Sequence, residues 1–324
     1  MRVFLFIVSF SIYAAFVTFS DNNTVPNRND RNLHQVELIR DSSTAQDSIT
    51  FLAPEQKKRT RYKFEINLDD FHRSLFVKQK IIWFNNSSDT LESIAINMFP
   101  KAYSDNESHY AIAEENSEMK ISRFEIEDII VNGIPHELIK TKAYNGENSV
   151  STFQLNLLKP AAPNDSMTLT FAYDLKLPEN SGRLGKAADE SFYSILDWYP
   201  EVAVYSDSIW YSTYLHPYAG KFQTFSDFEL KIELPDSFNV ISSGITLTLD
   251  SLNNRKQVLA KAENLKEFNW FVINPNNYRV RNAGTNSIKV RSYLHPAKEY
   301  LFTRIDSTVR ITAQYLKDFF GVIP

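Results

Sequence analysis

The chain contains no cysteine. Disulfides, thiolate metal ligands and thiol catalysis are therefore excluded together, and so is a lipoprotein anchor, which needs a cysteine to carry the lipid. Glycine is scarce, with 8 in 324 residues, and none is spaced as a phosphate-cradling loop. The nearest grouping, Gly182-Arg183-Leu184-Gly185, is too short and is expected in a polar loop after Pro178. No Gly-x-Ser-x-Gly occurs, so the turn that presents a hydrolase serine is missing. An excess of positive charge is lacking as well. The net charge of −4 and a pI near 5.9 remove the attraction for polyanions that marks nucleic-acid binders. The one basic cluster, Lys57-Lys58-Arg59-Thr60-Arg61, reads as the solvated end of a linker.

Histidines in a zinc-peptidase arrangement are also missing. Such a site needs two histidines four apart on one helical face, with a glutamate beside the first to deprotonate the metal-bound water. The nearest approach is His136-Glu137-Leu138-Ile139-Lys140, where Lys140 stands in the second ligand's place and would repel a cation. The segment follows the Asn132-Gly133 turn and is expected to be extended, which spreads positions i and i+4 about 13 Å apart. The other histidines, His34, His72, His109, His216 and His295, are isolated from one another. No carboxylate pair stands out by spacing, and Glu114-Glu115 reads as a solvated loop.

What the chain does have is ample material for a core. Hydrophobic residues make up 43% and aromatics 14%, weighted toward strand formers with 24 Phe and 16 Tyr. After Arg2 comes an apolar run from Val3 to Phe19, then Ser20 and the polar Asp21-Asn22-Asn23. This pattern predicts a secretory signal peptide over residues 1–20 and an exported, periplasmic or extracellular protein. An uncleaved anchor is the alternative, since a run of roughly 17 residues sits at the lower limit for crossing a bilayer. A membrane contact is expected only in that case. Residues 21–60, rich in Asn, Asp, Ser and Arg, are expected to be a flexible tether.

From Tyr62 onward short alternating segments begin, Tyr62-Lys63-Phe64-Glu65-Ile66-Asn67-Leu68 being the first. Others are expected at Leu75–Phe84, Leu91–Met98, Ile121–Val131, Thr152–Leu158 and Met167–Leu175. A second series is expected at Phe225–Leu234, Phe238–Ile241, Thr246–Leu249, Gln257–Lys261, Asn269–Ile273 and Ile288–Tyr293. Asn132-Gly133 predicts a tight hairpin turn. The reading is a mainly β domain over 61–294, an antiparallel saddle or sandwich. Beyond Pro296, apolar residues Leu301, Ile305, Val309, Ala313, Leu316 and Phe320 recur every three or four positions, with Gly321 placed to cap. One C-terminal amphipathic helix of about 24 residues is expected, whose apolar stripe the sheets leave in need of cover.

The densest aromatic cluster is Phe192-Tyr193-Ser194-Ile195-Leu196-Asp197-Trp198-Tyr199-Pro200-Glu201-Val202-Ala203-Val204-Tyr205, followed by Ile209-Trp210-Tyr211. Residue by residue it reads as a core-filling connection between sheets. The order of Trp198-Tyr199-Pro200, Tyr205, Trp210, Gly220-Lys221-Phe222, Ser226-Asp227-Phe228, Leu234-Pro235 and Val240-Ile241-Ser242-Ser243-Gly244 covers about 50 residues. It resembles the M1 family of zinc metallopeptidases, in particular bacterial members of the Trp-Tyr-Pro type. Trp83-Phe84-Asn85-Asn86-Ser87 with Asn97-Met98-Phe99-Pro100 upstream, and Phe319-Phe320-Gly321-Val322-Ile323-Pro324 downstream, extend the likeness to roughly Tyr62–Pro324.

The resemblance implies the N-terminal β-domain of an aminopeptidase, with 295–324 as the first helix of a catalytic domain whose zinc ligands this chain does not carry. No cofactor is expected in this chain; zinc is implied for a complete family member, and a missing or separately encoded catalytic domain is the implied partner. The N-terminal domain of such enzymes often lends a Gln or Glu to the pocket for the substrate's amino group. Within the matching segment Asp197 and Glu201 are the carboxylates that could attract an ammonium, with Trp198 and Tyr199 beside them as candidate substrate-binding residues. A rim carboxylate that merely caps the turn is the alternative for each. A stand-alone exported β-domain that holds peptides or a partner protein on its aromatic residues is the alternative for the whole chain.

Overall fold

The computed structural model describes residues 4–8, 14–20, 58–113, 122–179, 183–187, 192–216, 220–284 and 289–320. Residues 21–57 of the tether expected over 21–60, Glu114-Glu115 and Gly321–Pro324 lie outside them. The alternation first seen from Tyr62 becomes an eight-stranded sheet. In Arg61–Asp69 the side chains of Tyr62, Phe64, Ile66 and Leu68 are buried while the residues between them face water. That strand pairs antiparallel with Ser74–Phe84, which pairs with Ser166–Lys176, then Arg123–Val131, and the short Ile134–Pro135 ends the sheet. Asn132 and Gly133 make the last turn with φ of 49° and 84°, as a two-residue hairpin requires.

On the other flank of Arg61–Asp69 lie Ser226–Pro235, Arg255–Leu265 and Ile245–Leu252. The junction between the two strand series is parallel, from Asp227 opposite Arg61 to Glu233 opposite Asn67. The mainly β, antiparallel architecture expected is present, with this one parallel pairing among the named strands. A parallel pair requires a long crossover, and here residues 70–225 supply it, carrying four strands of the large sheet, the aromatic connection, one further sheet whole and half of another.

Those two sheets are small. One orders Glu201–Val202, Leu91–Asn97, Thr152–Ala161 and Ile139–Lys140; the other orders Leu184–Lys186, Phe192–Ile195, Trp270–Ile273 and Asn239–Ser242. Within the Gly182–Gly185 grouping, Leu184 and Gly185 are not in a polar loop as expected but are buried strand residues, paired with Ile195 and Ser194. Segment 197–200 runs between the two small sheets and lies on the core face of the large one. One continuous core fills the space, with Phe64, Ile81, Leu169, Phe171 and Leu230 from the large sheet meeting Ile94, Leu155, Tyr193 and Trp270 from the small ones.

The chain then turns into a 3₁₀ segment, Pro296–Leu301, and the helix Phe302–Phe320. The expected helix is thus shorter, since its first turns are 3₁₀ and His295 caps them by accepting a hydrogen bond from the Ala297 amide at 3.3 Å. Phe302, Ile305, Val309 and Ala313 bury against Val290 and Leu294 in a second, separate cluster. The cover is partial, because Ile311, Tyr315 and Phe319 remain 63–70% exposed on an adjoining row. No helix among the described residues is long and apolar enough to cross a membrane.

Candidate functional site

Asp197, Trp198, Tyr199 and Glu201 come together, and all four are buried. Trp198 and Tyr199 form the aromatic pin of the core. Their rings sit 4.6 and 5.3 Å from Phe64, Trp198 lies edge-on to Trp270 at 5.9 Å, and Tyr199 packs against Phe228 and Tyr62. The polar tip of Trp198 donates from Nε1 to the Phe268 carbonyl at 2.9 Å, so its indole is satisfied without water. The turn itself is held from below by Gln79, a polar residue on the otherwise apolar core row of Ser74–Phe84. Its Nε2 donates to the Pro200 carbonyl at 2.7 Å.

Asp197 occupies the left-handed region, φ 54°, which costs a non-glycine residue about 1 kcal/mol. Its carboxylate explains why the strain persists. One oxygen, Oδ2, accepts from Arg183 Nε and Nη2 at 2.9 and 2.8 Å and from the Tyr103 hydroxyl at 2.9 Å. The other, Oδ1, faces Lys221 Nζ at 2.8 Å. Lys221 is itself enclosed, with its side chain 8% exposed and its ammonium 4.7 Å from the centre of the Phe99 ring. It reaches Glu267 at 2.6 Å and Glu201 at 3.8 Å. Glu201 Oε2 accepts from Gln223 Nε2 at 2.7 Å, whereas its Oε1 has no hydrogen-bond partner, 3.8 Å being too long for one.

Three carboxylates thus surround two cations, an excess of one negative charge, with Asp197, Glu201 and Lys221 enclosed and Arg183 and Glu267 partly open to water. Burial pushes the Glu201 carboxyl up to about 7 despite Lys221 and Gln223, and the charges of Glu267 and Asp197 add to the rise. Burial alone would raise Asp197 too, but Lys221 and then Arg183 reverse the effect and bring it down to about 2. Burial opposes the Lys221 ammonium, yet the three carboxylates more than offset that and hold it above its ordinary value. The cluster is a buried ionic clasp that ties the loops at 183 and 221 and strand residue Glu201 to the Trp-Tyr-Pro turn, with a carboxyl poised to gain or lose a proton near neutrality.

The sequence marked the turn but not the clasp. Arg183 and Lys221 come from irregular segments on either side of Asp197, with no periodicity to relate them to it, and Tyr103, Gln223 and Glu267 carried no spacing signal. The one clue was Lys221, inside Gly220-Lys221-Phe222. The clasp has no histidine and a lysine at its centre, so it does not suit a divalent metal. Among the described residues no three His, Asp or Glu side chains converge to hold one. His136 turns its Nδ1 toward its neighbour's carbonyl, Ile134 O, at 2.8 Å.

No protein-family model matches the sequence, and no curated protein matches it. Similar solved structures include the M1 zinc metallopeptidase from Deinococcus radiodurans, with 10% identity, 70% of this chain and 44% of that one covered, and a TM-score of 0.42. A mutant of the Deinococcus radiodurans enzyme bound to the substrate Tyr-Ser-Ala shows 12% identity, the same coverage and a TM-score of 0.41. A mutant two-domain M1 zinc metallopeptidase bound to L-arginine shows 11% identity, 70% and 45% coverage, and a TM-score of 0.41. The chain spans less than half the length of these proteins.

Proposed function

We propose that this chain is the N-terminal β part of an exported M1-type zinc aminopeptidase, inactive alone and completed by a catalytic domain that brings the zinc. The observation that carries this reading is the convergence of motif residues that the resemblance singled out. Trp198 and Tyr199 pin the core, Lys221 of Gly220-Lys221-Phe222 returns to Asp197, Phe228 of Ser226-Asp227-Phe228 stacks on Tyr62 at 5.2 Å, and Trp210 packs on Trp83 and Tyr205. A set of motifs ordered along the sequence is thus one connected packing unit, as a family signature for a domain core should be. In this reading Asp197 and Glu201 serve an amino-terminal pocket by fixing the shape of its wall, with Trp198 and Tyr199 as the wall's buried backing. The residues present do not fit zinc, and no step of hydrolysis is assigned to them. The exposed row of Ile311, Tyr315 and Phe319 is apolar surface of the kind a further domain covers.

The stand-alone binding module has less behind it, because Trp198 and Tyr199 at 0 and 2% exposure offer no face to a peptide. The test is to translate the coding DNA beyond codon 324 in every frame and to assay the purified chain. A His-Glu-x-x-His followed by a later Glu, with a chain that neither retains zinc nor cleaves aminoacyl reporters, is expected. Stoichiometric zinc or cleavage by the chain alone overturns the reading. Export is checked by sequencing the amino terminus of the secreted protein, expected to begin at Asp21.

A further inference from the structure

The eight-stranded sheet ends differently at its two sides. At one side the last strand is Ile134–Pro135, two residues long and closed to further pairing by a proline. At the other the last strand is Ile245–Leu252, eight residues, every one of them exposed. Its sequence, Ile-Thr-Leu-Thr-Leu-Asp-Ser-Leu, has high strand propensity and no Pro, Lys or Arg, so the usual devices that keep edges apart are absent apart from a bulge between Thr248 and Asp250. It is the longest strand at any sheet edge among the described residues.

The pattern is also self-complementary. Turned end over end about Leu247, an antiparallel copy places Ile245 opposite Leu249, Thr246 opposite Thr248 and Leu247 opposite itself. Apolar residues meet apolar residues and threonines meet threonines, both favourable cross-strand pairs. Leu247 already stands beside the half-buried Leu259 of the neighbouring strand, so the pairing would join two leucines from each copy in one short apolar row that ends at Lys231. The only charge in Ile245–Leu252 is Asp250, which lies beyond the palindrome and so does not face its own copy.

We propose that Ile245–Leu252 is a homodimerisation edge, through which two copies of this chain join their large sheets in antiparallel register centred on Leu247. The contact is short, because the bulge bends the strand after Thr248, and it buries less than the roughly 1,200–2,000 Å² of a stable interface. The dimer is accordingly weak and concentration-dependent. This inference is independent of the metallopeptidase reading.

The absence of native cysteine makes the register directly testable on the full chain. In an antiparallel pair the facing Cα atoms stand about 4.5–5.5 Å apart, within reach of a disulfide. L247C is expected to form a covalent dimer on mild oxidation. T246C and T248C are each expected to remain monomeric alone and to cross-link when mixed. The wild-type chain should show a molar mass in light scattering that rises with loading concentration, and L247K, a change on a fully exposed strand, should hold it at the monomer with an unaltered circular dichroism spectrum. A wild-type chain that stays monomeric at every concentration overturns the proposal. So does a dimer that survives L247K, or one removed by Y315E on the helix instead.

Discussion

Asp197 and Glu201 are close neighbours in one enclosed cluster, yet folding moves their protons in opposite directions. Glu201, at about 7 in the folded protein against 4.5 free, binds its proton more tightly when folded. Its contribution to stability is therefore complete below pH 4.5 and is lost as the pH rises through 7. Asp197, at about 2 against 3.8, behaves inversely: its contribution is complete above 3.8 and is lost as the pH falls through 2. Glu201→Gln keeps the shape and removes the titration, so its melting temperature relative to wild type should climb between pH 5 and pH 8. A difference that stays flat across that range would show that Glu201 does not carry the spare charge. Asp197→Ala leaves Arg183 and Lys221 facing each other without the carboxylate between them. A loss of about 3–5 kcal/mol is expected in urea unfolding, much of it recovered in Asp197→Asn only if the hydrogen bonds, rather than the charge, hold the clasp.

At the scale of elements, the strands were legible because alternation is a local property. Tyr62, Phe64, Ile66 and Leu68 declare their buried face within seven residues, and the structure places every strand of both series within a few residues of its expected bounds. The parallel junction between Arg61–Asp69 and Ser226–Pro235 was not legible, since pairing partners 166 positions apart leave no mark on either strand. The clasp was hidden for a different reason: its cations arrive on irregular segments, where no alternation marks which way a side chain faces. Gln79 could have been noticed, because a glutamine on a row of Leu75, Val77, Ile81 and Trp83 breaks the pattern and asks for a polar partner. The Trp-Tyr-Pro turn is where these elements meet. Trp198→Ala empties the contact among three sheets and should cost about 3–5 kcal/mol with a broadened unfolding transition; a loss below about 1 kcal/mol would mean the pin is dispensable.

Across the whole molecule, the buried residues separate into a large core between the eight-stranded sheet and the small ones, a small cluster of Ile241, Phe271, Ile273 and Tyr278, and another of Val290, Leu294, Phe302, Ile305, Val309 and Ala313. The cluster under the helix is distinct from the other two, and cooperative units follow buried contacts. The helix Phe302–Phe320 is therefore expected to open without the sheets. Its amides should exchange with solvent deuterium much faster than those of Leu169 and Phe171 on an interior strand of the large sheet, and Ile305→Ala should accelerate the helix alone, by about 2 kcal/mol in opening free energy, leaving the sheet amides unchanged. Ile311→Ala, on the exposed row, should change neither, staying within about 0.5 kcal/mol. Equal protection of helix and sheet in the isolated chain would instead mean that the small core is coupled to the large one, and that the exposed row of Ile311, Tyr315 and Phe319 needs no partner to hold the helix in place.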